Sequence, residues 1–354
     1  MPAAFARPSP TEHALSTDAP PREVARALLE DGSLALRAEA GAWGAVEPWM
    51  PRIPAQEPAP RDVRACIHAR PGGPEFAVPA EAPALELRNV HGWVRPNGTI
   101  LLHGPEGRVS AAVDPSGRRA EVRLRPGERE GGDEEAETGV EIFAALTLAS
   151  AFLLGRLERT LVHAAAVAAP GGPAWLLAGG TFSGKTTTCV NLIRAGWDYL
   201  ADDHVVLGRA ADGGVAVEGW PRRFNLDHGY AAGASLGVRG RVDPHGFGPG
   251  RWRPSAPLAG VLFPRVQAEL PTALAPMHPA GALSKLLQQS PWLLADAGAA
   301  PGVLALLRDA AGTPARELRL GDDTYRDPGR LRAVLEDACV TGSGSGDGGR
   351  SGMA

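Results

Sequence analysis

The feature that most constrains this chain is a glycine-rich segment at residues 179–186, Gly-Gly-Thr-Phe-Ser-Gly-Lys-Thr. It fits the pattern G-x-x-x-x-G-K-[ST], in which the amides of a tight loop surround phosphate oxygens. An apolar run at 174–178 precedes the loop, and residues 186–195 have the spacing of an amphipathic helix. A strand, a loop and a helix in this order predict an α/β domain that binds a nucleotide through its phosphates.

The loop assigns chemistry to particular residues. The chain has two lysines, Lys185 and Lys285, so an ammonium group at a reaction centre has two candidates. In this pattern Lys185 reaches the β- and γ-phosphates, and the hydroxyl of Thr186 is a ligand for Mg²⁺. The predicted nucleotide-binding residues are Gly179, Gly180, Thr181, Phe182, Ser183, Gly184, Lys185, Thr186 and Thr187.

An acidic pair follows the loop closely. Asp202 and Asp203 come 17 residues after Lys185, and a predicted helix, a turn at Gly196 and a short strand at 197–201 fill that gap. A right-handed crossover would bring the end of this strand beside the loop. One carboxylate could then hold Mg²⁺ while the other accepts the proton of an acceptor hydroxyl. A solvated Asp-Asp turn is the alternative, and the residues leave open which aspartate has which role.

A histidine lies on the apolar strand before the loop. Residues 160–168 and 174–178 predict a hairpin around Gly171 and Gly172, which puts His163 opposite Gly179 or Gly180. At that position His163 could orient an acidic partner or contact a phosphate. The alternative is a histidine buried in the core of the strand.

These three elements resemble, in order and spacing, the catalytic domain of the HPr kinase/phosphorylase family and its related bacterial kinases. The matching segments are LVHAAAV, GGTFSGKTTT and WDYLADDHVVL. That family is similar to phosphoenolpyruvate carboxykinase in its nucleotide-binding core. The resemblance implies an α/β fold with α+β character, ATP and Mg²⁺ as cofactors, and a kinase activity. It also implies that Lys185 binds the triphosphate, that Thr186 helps hold the metal, and that His163 orients one aspartate as the base.

The resemblance covers 160–208 most strongly and extends over 140–338, but the segment WPRRFNL at 220–226 departs from the family's apolar, glycine-containing signature. The acceptor therefore stays open. We expect a hydroxyl, with a serine of a protein or peptide first and a small molecule as the alternative. Arg222, Arg223 and Arg251 are candidates for binding the acceptor or the transferred phosphate. A nucleotide-binding switch or ATPase without an acceptor is the competing interpretation.

The domain organisation follows from composition along the chain. We predict a disordered segment at 1–20, a small, mostly β N-terminal region at 21–125 that begins with a short helix at 21–30, and a charged linker at 126–138. The P-loop kinase domain is predicted at 139–340 and begins with an apolar helix at 140–157. Residues 341–354 are predicted to be a disordered tail. The glycine-rich stretch at 228–256 is predicted to be a long loop.

The overall composition excludes several classes of protein. The net charge is −4, which gives no electrostatic signature for nucleic acid or an anionic membrane. Cys66, Cys189 and Cys339 are scattered without a CxxC motif, so neither a disulfide framework nor a zinc site is expected. The longest apolar run, 142–154, is shorter than a bilayer span. We therefore expect a soluble cytoplasmic protein without nucleic-acid or membrane partners, and the sequence is compatible with a homo-oligomer.

Overall fold

The computed structural model of the chain describes residues 23–50, 63–73, 76–125, 133–220, 222, 224–227 and 239–342. Within them it has a mixed α/β structure with sheets of eight, nine and two strands. The fold class predicted from the sequence is therefore confirmed at this level. The predicted disordered segment at 1–20, most of the tail and the first half of the linker lie outside the described residues.

The eight-stranded sheet is formed by the first part of the chain. Its strands are β1 Glu23–Ala27, β2 Leu34–Glu39, β3 Ala65–Pro71, β4 Leu85–Leu87, β5 Val90–Val94, β6 Ile100–His103, β7 Val109–Val113 and β8 Arg119–Leu124. They lie in the order β1-β2-β3-β8-β7-β6-β5-β4. Helix α1, Ala40–Val46, and a 3-10 turn, Glu47–Trp49, follow β2.

Helix α2, Asp133–Arg156, packs against this sheet. It begins at Asp133, so residues 133–138 of the predicted linker are helical and the helix predicted at 140–157 starts earlier than the sequence indicated. The apolar run therefore belongs to a longer element than the sequence indicated. Its window Gly139–Arg156 is long and apolar enough to cross a membrane, but 61% of that window is buried inside the protein. Burial of this kind is what a core helix shows.

The rest of the chain alternates strands and helices. The strands are β9 Thr160–Val162, β10 Ala164–Ala168, β11 Ala174–Ala178, β12 Asp198–Ala201, β13 Val205–Arg209, β14 Val215–Gly219, β15 Phe224–Asp227, β16 Arg239–Val242, β17 Ser255–Val266, β18 Ala273–Pro276 and β19 Ala315–Leu320. The helices are α3 Lys185–Arg194, α4 Pro279–Gln288, α5 Ala300–Gly312, α6 Asp322–Arg326 and α7 Pro328–Gly342, with 3-10 turns at Pro244–Gly246 and Pro291–Ala295. Strands β15 and β16 pair with each other, and the other nine form one sheet.

The centre of the nine-stranded sheet is buried on both faces. Strand β11 pairs antiparallel with β10 and parallel with β17. Successive side chains of a strand point to opposite faces. Accordingly, Ala164 and Ala166 join one core with α4 and α5, whereas Ala165 and Val167 join another with α3 and α7. Double burial explains why these strands read as continuous apolar runs.

One predicted strand has the predicted limits. Strand β11 begins at Ala174 and ends at Ala178, where the sequence indicated. The hairpin register is also the predicted one, because Ala164 pairs with Ala178 and the next step of the ladder would pair His163 with Gly179. Strands β13 and β14 pair antiparallel as a second hairpin.

Other predictions were wrong. The helix predicted at 21–30 is wrong over residues 23–27, which form strand β1 and pair antiparallel with β2, so tertiary pairing overrides the local helical spacing. The predicted strand at 160–168 is interrupted at His163, since β9 pairs with β13 while β10 pairs with β11 and β12. The stretch at 228–256 contains β16 and the start of β17, and residues 228–238 lie outside the described part. Strands β2 and β18 and helices α1 and α6 were not predicted.

Candidate active site

A cavity of about 660 Å³ lies where β11 and β12 end and α3 begins. Open α/β sheets bind ligands at this edge, and the volume is in the range of small-molecule sites. The whole segment from Thr181 to Thr187 lines the cavity. The other lining residues are Trp49, Val140, Phe143, His163, Asp202, Asp203, Arg222, Asn225, Gly240 and Val266.

Two glycines of the loop differ in how strongly the structure requires glycine. Gly184, the residue before α3, has φ +101°, a conformation that L side chains rarely adopt. A Cβ on Gly184 would also lie 2.6 Å from Cδ1 of Leu320. A Cβ on Gly180 would have no atom within 4 Å. Backbone and packing thus require glycine at 184, whereas residue 180 faces open space.

Lys185 is held at the mouth of the loop. Its Nζ donates to the carbonyl oxygens of Gly179 at 2.6 Å and Gly180 at 3.0 Å, and lies 3.3 Å from Nε2 of His163. These three contacts match the three protons of an ammonium group. Burial lowers the pKa of Lys185, while the charges of Asp202 and Asp203 act in the opposite direction.

Thr186 and Asp202 form a pair of oxygen donors. The hydroxyl of Thr186 donates to the two carboxylate oxygens of Asp202, at 3.0 and 2.9 Å. Asp202 is 4% exposed. Burial and the charge of Asp203 raise its pKa to about 6, against the opposing effects of Thr186, Lys185 and His163. Carboxylate and hydroxyl oxygens are the hard ligands that Mg²⁺ prefers.

The loop also offers a donor that has no protein partner. The hydroxyl Oγ of Ser183 is buried, and within the described residues it has no hydrogen-bond partner. Buried polar atoms are rarely left unpaired, so an oxygen of a bound ligand is a fitting complement. Together with the oxygen pair of Thr186 and Asp202, this atom makes the residues of the site fit a magnesium nucleotide.

Asp203 has several positively polarised neighbours. Its φ is +79°, in the left-handed region. Oδ1 lies 3.2 Å from Nδ1 of His163, and Oδ2 lies 3.3 Å from Nδ1 of His204 and 3.6 Å from Nη1 of Arg222. Partial burial raises the pKa of Asp203, but His204 and then His163 outweigh it and hold that pKa well below its usual range. Asp203 is therefore an ionised carboxylate.

The ligand atoms of His163, Asp203 and His204 all lie within 4.8 Å of one another, a spacing that could hold a metal ion. However, Lys185 contacts the other nitrogen of His163, and Arg222 lies beside Asp203. Two positive charges at this place disfavour a further cation. We therefore interpret the three side chains as a hydrogen-bonded cluster. Burial lowers the pKa of His204, although Asp203 opposes this effect.

Two aromatic rings fix Arg222 in the cavity. The rings of Trp49 and Phe143 are stacked with centroids 5.0 Å apart. The guanidinium carbon of Arg222 lies 4.1 Å from the Phe143 centroid and 5.5 Å from that of Trp49. Guanidinium groups are attracted to aromatic faces at such distances. The N-terminal part of the chain thus contributes Trp49 to a site that is otherwise formed from α2 onward.

The structure brings most of the predicted site residues together. His163, Asp202, Asp203 and Arg222 line one cavity with the loop residues Thr181–Thr187. Gly179 and Gly180 are not among the lining residues, but their carbonyls accept from Nζ of Lys185, which is. Arg251 is not among the lining residues.

Arg251 lies before β17, where its amide donates to Oδ1 of Asp198 at 3.1 Å. Arg223 lies outside the described residues. The sequence reasoning missed His204, Trp49 and Phe143. Adjacency to the acidic pair could have marked His204, whereas no local signal marks Trp49.

No family model matches this chain, and no curated protein matches it. Among solved structures, the chain is similar to the HPr(Ser) kinase/phosphatase from Coxiella burnetii. The match covers 52% of this chain and 99% of that chain, with 11% sequence identity and a TM-score of 0.31. A likeness this distant carries no argument about what this chain does.

Proposed function

We propose that this protein is a kinase that transfers the γ-phosphoryl group of Mg-ATP to a hydroxyl. The favoured acceptor is a serine of a protein or peptide, and a small molecule is the alternative. One observation carries the proposal: the phosphate loop, the Thr186–Asp202 oxygen pair and the Asp203–His163 pair line the same cavity. Nucleotide binding needs the first two features, whereas the third suits an acceptor hydroxyl.

The nucleotide is bound by the loop. Its amides, the Ser183 hydroxyl and the helix N-terminus surround the phosphates, and Lys185 exchanges the carbonyls of Gly179 and Gly180 for phosphate oxygens. Thr186 and Asp202 would hold Mg²⁺, which when bound neutralises charge on the β- and γ-phosphate oxygens. Arg222, whose Nη1 lies 3.6 Å from Oδ2 of Asp203, supplies a further positive charge in the cavity.

The acceptor hydroxyl is oriented by Asp203. This carboxylate stays ionised, lines the cavity and has a side chain that is 42% exposed, so a hydroxyl can reach it. Lys185 donates to Nε2 of His163, which places the imidazole proton on Nδ1, facing Asp203. The sequence left the two aspartates interchangeable. In this proposal Asp202 is the metal ligand and Asp203 the proton acceptor.

Measuring ADP release from Mg-ATP tests the proposal against a switch or ATPase without an acceptor. The assay compares water alone, free serine and a library of serine-containing peptides. A kinase releases ADP faster when an acceptor is present and forms a phosphorylated product. An equal rate with and without every acceptor would identify an ATPase instead.

The two lysines of the chain provide a matched pair of variants. Lys185→Ala should weaken binding of Mg-ATP and abolish turnover, because the ammonium that contacts the phosphates is lost. Lys285→Ala should leave both unchanged, since Lys285 is exposed in the last turn of α4. Both proteins should stay folded by circular dichroism. Unchanged turnover in Lys185→Ala would overturn the assignment of the loop.

A further inference from the structure

The two oxygens of Asp203 have different surroundings. Oδ2 faces Nδ1 of His204 and the guanidinium of Arg222, at 3.3 and 3.6 Å. Among the described residues, Oδ1 faces Nδ1 of His163 alone, at 3.2 Å. An ionised carboxylate offers about four lone-pair positions, two on each oxygen. Oδ2 is thus flanked by two groups and Oδ1 by one, so Oδ1 is the oxygen with more room for a further donor.

His204 is placed to act on Asp203 and not on a substrate. Its side chain is 9% exposed, and it is not among the residues that line the cavity. The ring packs edge-on against Phe143, with centroids 5.4 Å apart, and against His163, with centroids 5.6 Å apart. In this packing Nδ1 is directed at Oδ2 of Asp203.

The backbone conformation of Asp203 allows its side chain to contact that of the next residue, His204. In an extended strand, consecutive side chains point to opposite faces. The left-handed φ of +79° at Asp203 interrupts that alternation between β12 and β13, so Asp203 and His204 meet. Non-glycine residues in this region are strained and cluster at functional sites.

We infer that His204 is a positioning residue: it occupies Oδ2 of Asp203 and so directs the acceptor hydroxyl to Oδ1. The inference rests on the proposed kinase function and deepens it. In the transfer, the acceptor oxygen forms a bond to the γ-phosphorus, and the bond from that phosphorus to the β–γ bridging oxygen breaks. ADP leaves with the electron pair, and the hydroxyl proton passes to Oδ1 of Asp203.

Two substitutions separate positioning from packing. His204→Phe keeps a ring against Phe143 but removes the donor, whereas His204→Asn keeps an N–H near the place of Nδ1. We expect His204→Phe to lower kcat for transfer by about 10- to 100-fold, the range found when a partner that orients a metal ligand is lost. KM for Mg-ATP should change less than about 3-fold, since the loop and Lys185 are untouched. His204→Asn should recover a large part of kcat.

A double-mutant cycle with Asp203→Asn shows whether His204 acts through Asp203. Residues that act as a unit give non-additive effects. His204→Phe should therefore cost little further activity once Asp203 is Asn. Additive losses, full kcat in His204→Phe, or equal losses in His204→Phe and His204→Asn would each overturn the inference while the kinase assignment stands. A wild-type protein that transfers no phosphate would overturn the proposed function, and the inference with it.

Discussion

The most informative single change is Asp202→Asn, because it should stabilise the protein while abolishing its activity. Asp202 is 4% exposed, and its pKa in the folded protein is about 6, against an ordinary value of 3.8. Each tenfold change in proton affinity is worth about 1.4 kcal/mol. The ionised carboxylate therefore costs the folded, metal-free protein about 3 kcal/mol at pH 8, a cost that an isosteric amide removes.

The sign of the pH dependence follows from the raised pKa. The favourable contribution of protonated Asp202 is fully present below the unfolded-state pKa of 3.8 and is lost as the pH rises through about 6. The stability advantage of Asp202→Asn over wild type should thus grow by about 1.4 kcal/mol between pH 5 and pH 8. Mg-ATP should reverse the order by stabilising wild type more than the variant, because the ionised carboxylate then has its metal.

Urea unfolding in EDTA at pH 5 and pH 8, followed by tryptophan fluorescence, measures the difference. The exposed Asp322→Asn is the matched control for an Asp-to-Asn change and should show no such growth. A variant that is less stable than wild type at pH 8, or a difference that is constant with pH, would refute the reasoning. Loss of transfer activity together with the stability gain would identify the carboxylate as a functional group retained at a structural cost.

Three further changes test other parts of the site. Gly184→Ala should lower the free energy of unfolding by about 1–3 kcal/mol, because the new Cβ meets Leu320 at a left-handed φ. Gly180→Ala should lower it by less than about 1 kcal/mol, since a Cβ there meets no atom. Equal losses in the two variants by urea titration would contradict this reasoning. His163→Ala should reduce the transfer rate far more than the affinity for Mg-ATP, and a parallel loss in both, with a lower Tm, would mark His163 as a core residue. Asp203→Asn should lower transfer by about 10²–10⁴-fold without raising the Mg²⁺ requirement, and a raised requirement would show that Asp203 holds the metal.

The sequence alone determined the local features of this protein. The loop at 179–186 is specified by its spacing of Gly, Lys and Thr, and the hairpin of β10 and β11 by apolar runs around Gly171. Because a short hairpin fixes its own register, the sequence could place His163 beside the loop. The acidic pair was placed near the loop by the length of the intervening helix. Each of these inferences depends on interactions between residues close in the chain.

The remaining features of the fold and the site depend on contacts between distant segments, and only the tertiary structure decided them. Residues 23–27 form a strand because β2 pairs with them, and no local pattern contains that information. Trp49 reaches Arg222 only because the eight-stranded sheet and α2 pack together. The different surroundings of Asp202 and Asp203 also arise in three dimensions. Thr186 contacts Asp202, whereas His163 and His204 contact Asp203. The left-handed backbone at Asp203 turns these adjacent carboxylates to different partners.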